Sequence, residues 1–263
     1  EKKLDNLLDI PYEEFKIEDI GFQKTDLTFE VPEADLHIIK TYEETRNFPA
    51  VKGTTQLGVH LRFGTISVRK LAKIAKENNL TFLKELIWRE FFMQILYHFP
   101  KVVNHSFKSK YDAIPWENNP EFLEKWKAGK TGFPIVDAGM RELNATGFMH
   151  NRVRMITASF LIKHLLTDWR IGEAYFAEKL MDYDLSANNG NWQWCASSGC
   201  DAAPYFRIFN PDEQQKKFDP DFKYIKKWIP EFGTKYYPKP IVEHKKAREK
   251  VLKVYKEALD NLD

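Results

Sequence analysis

Cysteine is almost missing from this chain, with two in 263 residues, Cys195 and Cys200. Two thiols cannot staple a disulfide framework, so a cross-linked secreted scaffold is excluded. A reducing, cytoplasmic compartment is expected, nucleoid-associated in a bacterial source. No second Cys/His pair stands at zinc spacing, so no metal site is expected. No apolar run approaches the roughly 18 residues that span a bilayer, and no signal-peptide pattern opens the chain, which argues against a membrane partner. Charge of one sign is lacking too: 40 Lys+Arg against 38 Asp+Glu leave +2, neither a polybasic tail nor an acidic solvating segment. An initiator methionine is missing, and Glu1-Lys2-Lys3 reads as the opening of a piece from something longer. Alternating strand patterns are scarce, and nothing repeats at a solenoid period. Aromatics are what the chain has in plenty: 20 Phe, 11 Tyr and 7 Trp, 14% of its residues. That is more apolar area and more π-face than a plain core requires.

Thirteen prolines are spread unevenly, and none falls between Pro134 and Pro204, a window in which helices run unbroken. Apolar residues at Ile66, Val68, Leu71, Ile74 and Ala75 keep helical spacing until Asn78-Asn79. Glu85 to His98 reads as a helix closed by Pro100, and further helices are expected near 118–128, 134–146, 150–166, 171–182 and 241–260. The fold expected is all-α, with ten or more helices after an irregular leading segment over 1–40.

Several motifs fail on inspection. Gly129-Lys130-Thr131 resembles the end of a phosphate-binding loop, but Glu124 occupies the position of its first glycine. His150 and His164 are too far apart for an i, i+4 metal pair, and no Gly-x-Ser-x-Gly elbow is present.

Four segments remain. Asp182-Tyr-Asp-Leu-Ser-Ala-Asn-Asn-Gly-Asn-Trp-Gln-Trp194 concentrates two carboxylates, three asparagines and two indoles. A heteroaromatic ligand would satisfy such groups; a capped helix end followed by a loop, with the indoles as core, reads as well. In Met149-His-Asn-Arg-Val-Arg-Met155, Asn151, Arg154 and Met155 share a helix face, and Arg154 could pair with the carboxylate at 182 or 184. An exposed charged stripe is the alternative. Gly53-Thr-Thr-Gln-Leu-Gly58 before a helix suits phosphate, or is an ordinary turn. Glu85, Trp88 and Arg89 put a carboxylate, an indole and a guanidinium on one face, suited to stacking on bases or to a core with a surface ion pair.

Trp88-Arg-Glu-Phe91, Thr131-Gly-Phe-Pro-Ile-Val-Asp-Ala-Gly-Met-Arg141, Met149 to Met155, Asp182 to Trp194 and Asp201-Ala-Ala-Pro-Tyr-Phe-Arg-Ile-Phe-Asn-Pro211 together resemble the photolyase/cryptochrome flavoproteins, in that family's own order. The resemblance runs from about Tyr42 to Glu249 and covers the helical FAD-binding domain only, taken as 41–263. The family's N-terminal α/β domain, which holds the antenna chromophore, has no counterpart in this sequence.

The resemblance implies a U-shaped FAD. Tyr42 and the loop Thr54, Thr55, Gln56, Leu57, Gly58 would hold its phosphates. Arg89, Asn151, Arg154, Asp182, Asp184 and Asn188 would surround the rest, with Asn188 at flavin N5 and Arg154–Asp182 as a pair over the ring. Trp192, Trp169 and Trp116 match the electron-transfer chain that reduces the photoexcited flavin. Glu85, Trp88, Asn151, Met155 and Trp194 would line the cavity for a flipped-out pyrimidine dimer, with Arg152, Arg207 and Gln214 on the DNA strand.

The residues at 88, 151, 155, 188 and 194 resemble those of class I cyclobutane pyrimidine dimer photolyases. Gln56, Gly58 and Phe148 depart from residues common in the family, with less charge and one hydroxyl fewer in the phosphate loop. The implied function is repair of UV-damaged DNA by a monomer: reduced FADH⁻ absorbs light, lends an electron to the dimer and recovers it. Glu85 would stabilise the developing charge, and Trp88 and Trp194 would replace lost stacking. Lys216-Lys217, Lys223, Lys226-Lys227 and Arg207 could form a basic rim that the net charge conceals. The alternatives are a cryptochrome-like blue-light photoreceptor and a flavin-free helical nucleic-acid-binding domain.

Overall fold

The computed structural model describes residues 16–26 and 32–260. It separates into two units, Glu1–Val31 and Pro32–Asp263. Among the described residues of the first, a 3₁₀ turn spans Ile17–Ile20.

The second unit is built of helices joined by irregular segments. Its helices are α1 Leu36–Thr45, α2 Gly58–Phe63, α3 Val68–Asn78, α4 Leu80–His98, α5 Pro120–Lys127, α6 Pro134–Thr146, α7 Asn151–Lys163, α8 Trp169–Lys179, α9 Leu185–Ala196, α10 Pro211–Phe218, α11 Lys223–Trp228 and α12 His244–Asp260. No strand occurs among the described residues. Local chemistry fixes most of the starts. Asp35, Asn79, Asn119, Asp168, Asp184 and Asn210 each turn a side-chain oxygen onto first-turn N–H groups. Pro120, Pro134 and Pro211 occupy first helical positions, where a missing N–H costs nothing.

The expected helices are found, with ends two or three residues shorter at several places. The segment 182–194 differs more: it is a helix, not a capped end followed by a loop. Asp184 caps α9, and the helix then carries Asn188, Asn189, Gly190, Asn191, Trp192 and Trp194. Asparagine and glycine are weak helix formers, and α9 packs on α4, α7 and α8 together. With neighbours on several sides, it shows no single apolar stripe for a sequence reading to find.

One core lies around α5–α9 and α11, with Trp126, Val136, Met140, Phe160, Leu161, Trp169 and Trp192 buried in it. A second gathers α1, α3 and α4 around Ile39, Leu71 and Phe82. A third joins Ile114, Leu166, Val251 and Tyr255 beneath α12.

Two buried histidines predict an acid limit to this fold. Burial, with Arg152, Arg154 and Arg46 adding repulsion, pushes His150 from the ordinary 6.5 to about 4. Burial beside His244 pushes His164 to about 3. The folded chain therefore refuses protons that the unfolded chain accepts. Their stabilisation is complete above pH 6.5 and is lost as pH falls toward 4 and 3. At 1.36 kcal/mol per unit, each is worth about 3–5 kcal/mol. Denaturant midpoints followed against pH should drop steeply below 6.5, and His164→Gln should flatten that slope.

Candidate functional site

Two cavities meet along α7 and α9. The first is an open cleft lined by Asn151, Arg154, Met155, Ala158, Phe176, Leu180, Asp182, Tyr183, Asp184, Ala187, Asn188, Asn191, Trp192 and Cys195. Arg154 Nη2 donates to Asp182 Oδ2 at 2.9 Å and its Nε to the Met149 carbonyl at 2.7 Å, so the guanidinium is fixed across the opening. The expected choice between 182 and 184 thus falls on Asp182. Asp184 instead caps α9, accepts from Ser186 Oγ and faces Arg62 at 3.9 Å.

Asn188 donates its Nδ2 hydrogens to the Glu173 carbonyl at 3.2 Å and to Glu173 Oε1 at 2.9 Å. Both donors are consumed, so the amide oxygen is the group left for the cavity. Burial holds the Glu173 carboxyl above its usual range, against the lowering by Asn188.

Whether this cavity suits FAD is tested by two features. Asp182 Oδ1 is buried without a partner among the described residues, an acceptor that a ligand hydroxyl or N–H would satisfy. At Gly58 a Cβ would stand 2.8 Å from Asp182 Oδ2, so only glycine leaves the loop free to lie against that carboxylate. Both fit the group. Of the expected phosphate loop, Thr54, Thr55, Gln56, Leu57 and Gly58 line neither cavity; Gly58 stands against the cavity residue Asp182, and Arg62 Nε binds α2 to the Tyr183 carbonyl at 3.0 Å.

The second cavity is more open and is lined by Arg46, Glu85, Trp88, Arg89, Phe92, Asn151, Met155, Ala187, Asn191, Trp194 and Asp201. Asn151, Met155, Ala187 and Asn191 line both cavities, so the two adjoin along α7 and α9. Glu85 is paired with Arg46, and Trp88 is 42% exposed, stacked on Phe92 at 6.0 Å. An exposed indole beside an apolar ring is open to stack on a further aromatic face. Two expected cofactor residues stand on this side rather than the first. Arg89 lines the second cavity and donates to the Leu61 carbonyl at 3.1 Å. Tyr42 lies edge-on to Phe82 with Arg46 over its ring, and burial next to Glu85 pushes its phenol to about 12.

A basic edge is present, and arginines make it. Arg46 and Arg207 face Arg152 closely enough to depress it further, beyond the lowering by burial. Arg152 donates to Asn47 Oδ1 at 2.6 Å and stacks on Phe218, while Arg207 lies over Trp194. Of the expected lysines, Lys216 and Lys223 are paired with Glu213 and Asp221. Gln214 shares a face of α10 with Phe218 and lines neither cavity.

The three tryptophans expected in an electron chain fall on segments that touch one another. Trp192 is 2% exposed and presses on α8, where a Cβ at Gly172 would stand 2.2 Å from Cη2. Trp169 opens that helix one turn earlier. The Trp116 segment is pinned beside it by Asp168 N donating to Asn118 Oδ1 at 2.8 Å and Glu117 N donating to the Leu166 carbonyl at 2.9 Å.

Sequence reasoning missed Arg46, Phe92, Asn191, Glu173 and Asp201. Two were within reach: Arg46 is i+4 from Tyr42, and Asn191 i+3 from Asn188. Glu173 and Asp201 come from separate segments, and only folding shows where they stand.

The family described as the FAD binding domain of DNA photolyase matches residues 82–235. The deoxyribodipyrimidine photo-lyase of Escherichia coli is 48% identical over 246 residues, covering 82% of this chain and 52% of that protein. Among solved structures, a bacterial class III photolyase from Agrobacterium tumefaciens superposes with a TM-score of 0.80 at 42% identity, over 84% of this chain and 53% of that one. An archaeal photolyase from Sulfolobus tokodaii, solved with two FAD molecules, gives 0.79 at 44% identity, over 84% and 55%. The chain spans about half the length of the curated relatives it matches.

Proposed function

The chain belongs to the DNA photolyase family through its FAD-binding domain, and from that premise we propose that it splits cyclobutane pyrimidine dimers in UV-damaged DNA under blue or near-UV light. The reading takes 41–263 as a monomeric catalytic domain and 1–40 as a leading segment.

The shared lining is the observation that carries it. Two open clefts that share Asn151, Met155, Ala187 and Asn191 would place a group held in one next to a group held in the other. The photo-lyase of Escherichia coli and the FAD-bearing archaeal structure support the same assignment. FAD, when bound and reduced, supplies the light-excited electron donor. This chain's residues hold it in place: Arg154 and Asp182 clamp one side, and the loop ending at Gly58 offers its backbone to phosphate. The Asn188 oxygen, turned inward by Glu173, accepts a hydrogen bond at the ring and offers no proton. Glu85, kept beside Arg46, accepts from the imide N–H of a base in the second cavity. Trp88 and Trp194 supply the stacking that a flipped base loses. Arg46, Arg152 and Arg207 meet phosphates. A photoreceptor using the same flavin has no need of a 42% exposed indole in a second cavity.

The test is illumination of UV-irradiated oligo-dT with the full chain carrying reduced FAD. Restored thymine absorbance is expected, and its absence overturns the reading. Arg154→Met should weaken flavin retention by about tenfold or more, because it leaves Asp182 without its partner. The flavin-to-protein ratio after gel filtration checks this, and Arg154→Lys should recover part of the loss.

A further inference from the structure

Behind the outermost tryptophan lies a cation for which repair has no use. Lys163 closes α7 and is 1% exposed. Its Nζ sits 3.7 Å from the centroid of the Tyr255 ring and donates to Ser197 Oγ at 3.1 Å. Among the described residues no carboxylate pairs with it. The phenol face and the negative end of α7 are what make an ammonium tolerable there. Tyr255, fully buried on α12, meets Trp116 edge-on at 6.1 Å. It also stacks on Tyr205 at 6.1 Å and meets Tyr111 at 6.2 Å. Both of those outer tyrosines are partly exposed. The end of the proposed electron path thus abuts three phenols with a way out to water.

Such a cluster is a leak. An oxidised tryptophan regains its electron when a phenol gives one up and releases its proton to water. Tyr255 donates its hydroxyl to the Ala196 carbonyl at 3.2 Å, which is no base. Taking an electron from its ring would also set a second positive charge beside the ammonium in a dry core. We propose that Lys163 is an electrostatic stop: its charge keeps Tyr255 reduced, confines the oxidised state to Trp116 and shuts the tyrosine cluster out of the path. This rests on the electron-path reading of Trp192, Trp169 and Trp116. Lys163 acts through Tyr255 and is a positioning residue.

The stop is sensitive to pH. Burial brings Lys163 down to about 7, opposed by Cys195 on α9, whose thiol burial pushes up to about 12. On the far side, burial with Tyr111, Asp168 and Cys195 holds the Tyr255 phenol well above its usual range. A neutral Lys163 no longer repels charge on the ring.

The test is flash photolysis and EPR of the full chain loaded with oxidised FAD, the oxidant under light. Below about pH 6 the unaltered protein should show a tryptophanyl radical alone, and above about pH 8 a tyrosyl radical as well. Lys163→Met should raise the tyrosyl yield by about tenfold or more below about pH 6 and match the unaltered protein above about pH 8, and adding Tyr255→Phe should remove it. Lys163→Arg should restore the tryptophan-only pattern at both ends of the range. Should Lys163→Met fail to fold, the pH series and Lys163→Arg decide alone. Equal tyrosyl yield with and without the charge, or a yield indifferent to Tyr255→Phe, overturns the stop while leaving the path intact. Absence of flavin photoreduction in every protein overturns the path, and the stop with it.

Discussion

Trp192→Phe is expected to stop light from reducing the bound flavin while leaving repair by chemically reduced protein close to normal. Trp192 is the buried indole on the wall of the first cavity, and its far edge rests on the α8 backbone at Gly172. Phenylalanine fills most of that space but gives up an electron far less readily. At about 59 mV per factor of ten for one electron, a gap of a few hundred millivolts suppresses the step by about a thousandfold or more. Flavin bleaching under blue light, followed with and without dithionite, separates the two processes. Trp126 is the control. It meets Trp192 at 6.3 Å, but its indole N–H is held by the Thr157 carbonyl at 3.1 Å and its ring packs on Tyr175 and Phe176, away from Trp116. Trp126→Phe should therefore leave photoreduction within a few-fold. An equal loss in both variants would put the path through the wrong indole.

Asp137→Ala is expected to cost about 4–6 kcal/mol, enough to leave little folded protein, with no direct effect on either cavity. Asp137 is fully buried on α6 and accepts four hydrogen bonds. They come from Thr131 N at 2.7 Å, Thr131 Oγ1 at 2.6 Å, Gly132 N at 2.9 Å and Tyr237 Oη at 2.6 Å. Removing the carboxylate strands three buried donors and the half-buried Tyr237 hydroxyl at once, and a hydrogen bond to a charged group is worth about 1.5–3 kcal/mol. Urea denaturation checks it. Asp137→Asn, which keeps an acceptor but adds a donor, should fall between the two. A loss below about 1 kcal/mol would mean that water reaches these groups.

That second prediction also shows what a motif is. Thr131 to Arg141 helps to carry the family resemblance, yet Asp137 ties a turn to the Tyr237 loop and Arg141 pairs with Glu231 at 2.6 Å. Neither lines either cavity. Their place in the resemblance records how α6 is anchored, not what the protein does. Lys163 teaches the reverse. In the sequence it is one charge after the apolar run Phe160-Leu161-Ile162, and only the position of Tyr255 on α12 gives it a role.

The sequence by itself determined the helical class, the caps and prolines that start the helices, and the set of polar and aromatic residues from which a flavin site could be built. Those are matters of local propensity and of chemistry carried by single residues, and both are read along the chain. The tertiary structure alone decided that Arg154 meets Asp182 and not Asp184, that Glu173 turns the Asn188 amide, that Glu85 belongs with Arg46, and that two cavities adjoin. Each of these joins segments distant in sequence, and no periodicity encodes a partner that packing brings close only after the chain has folded.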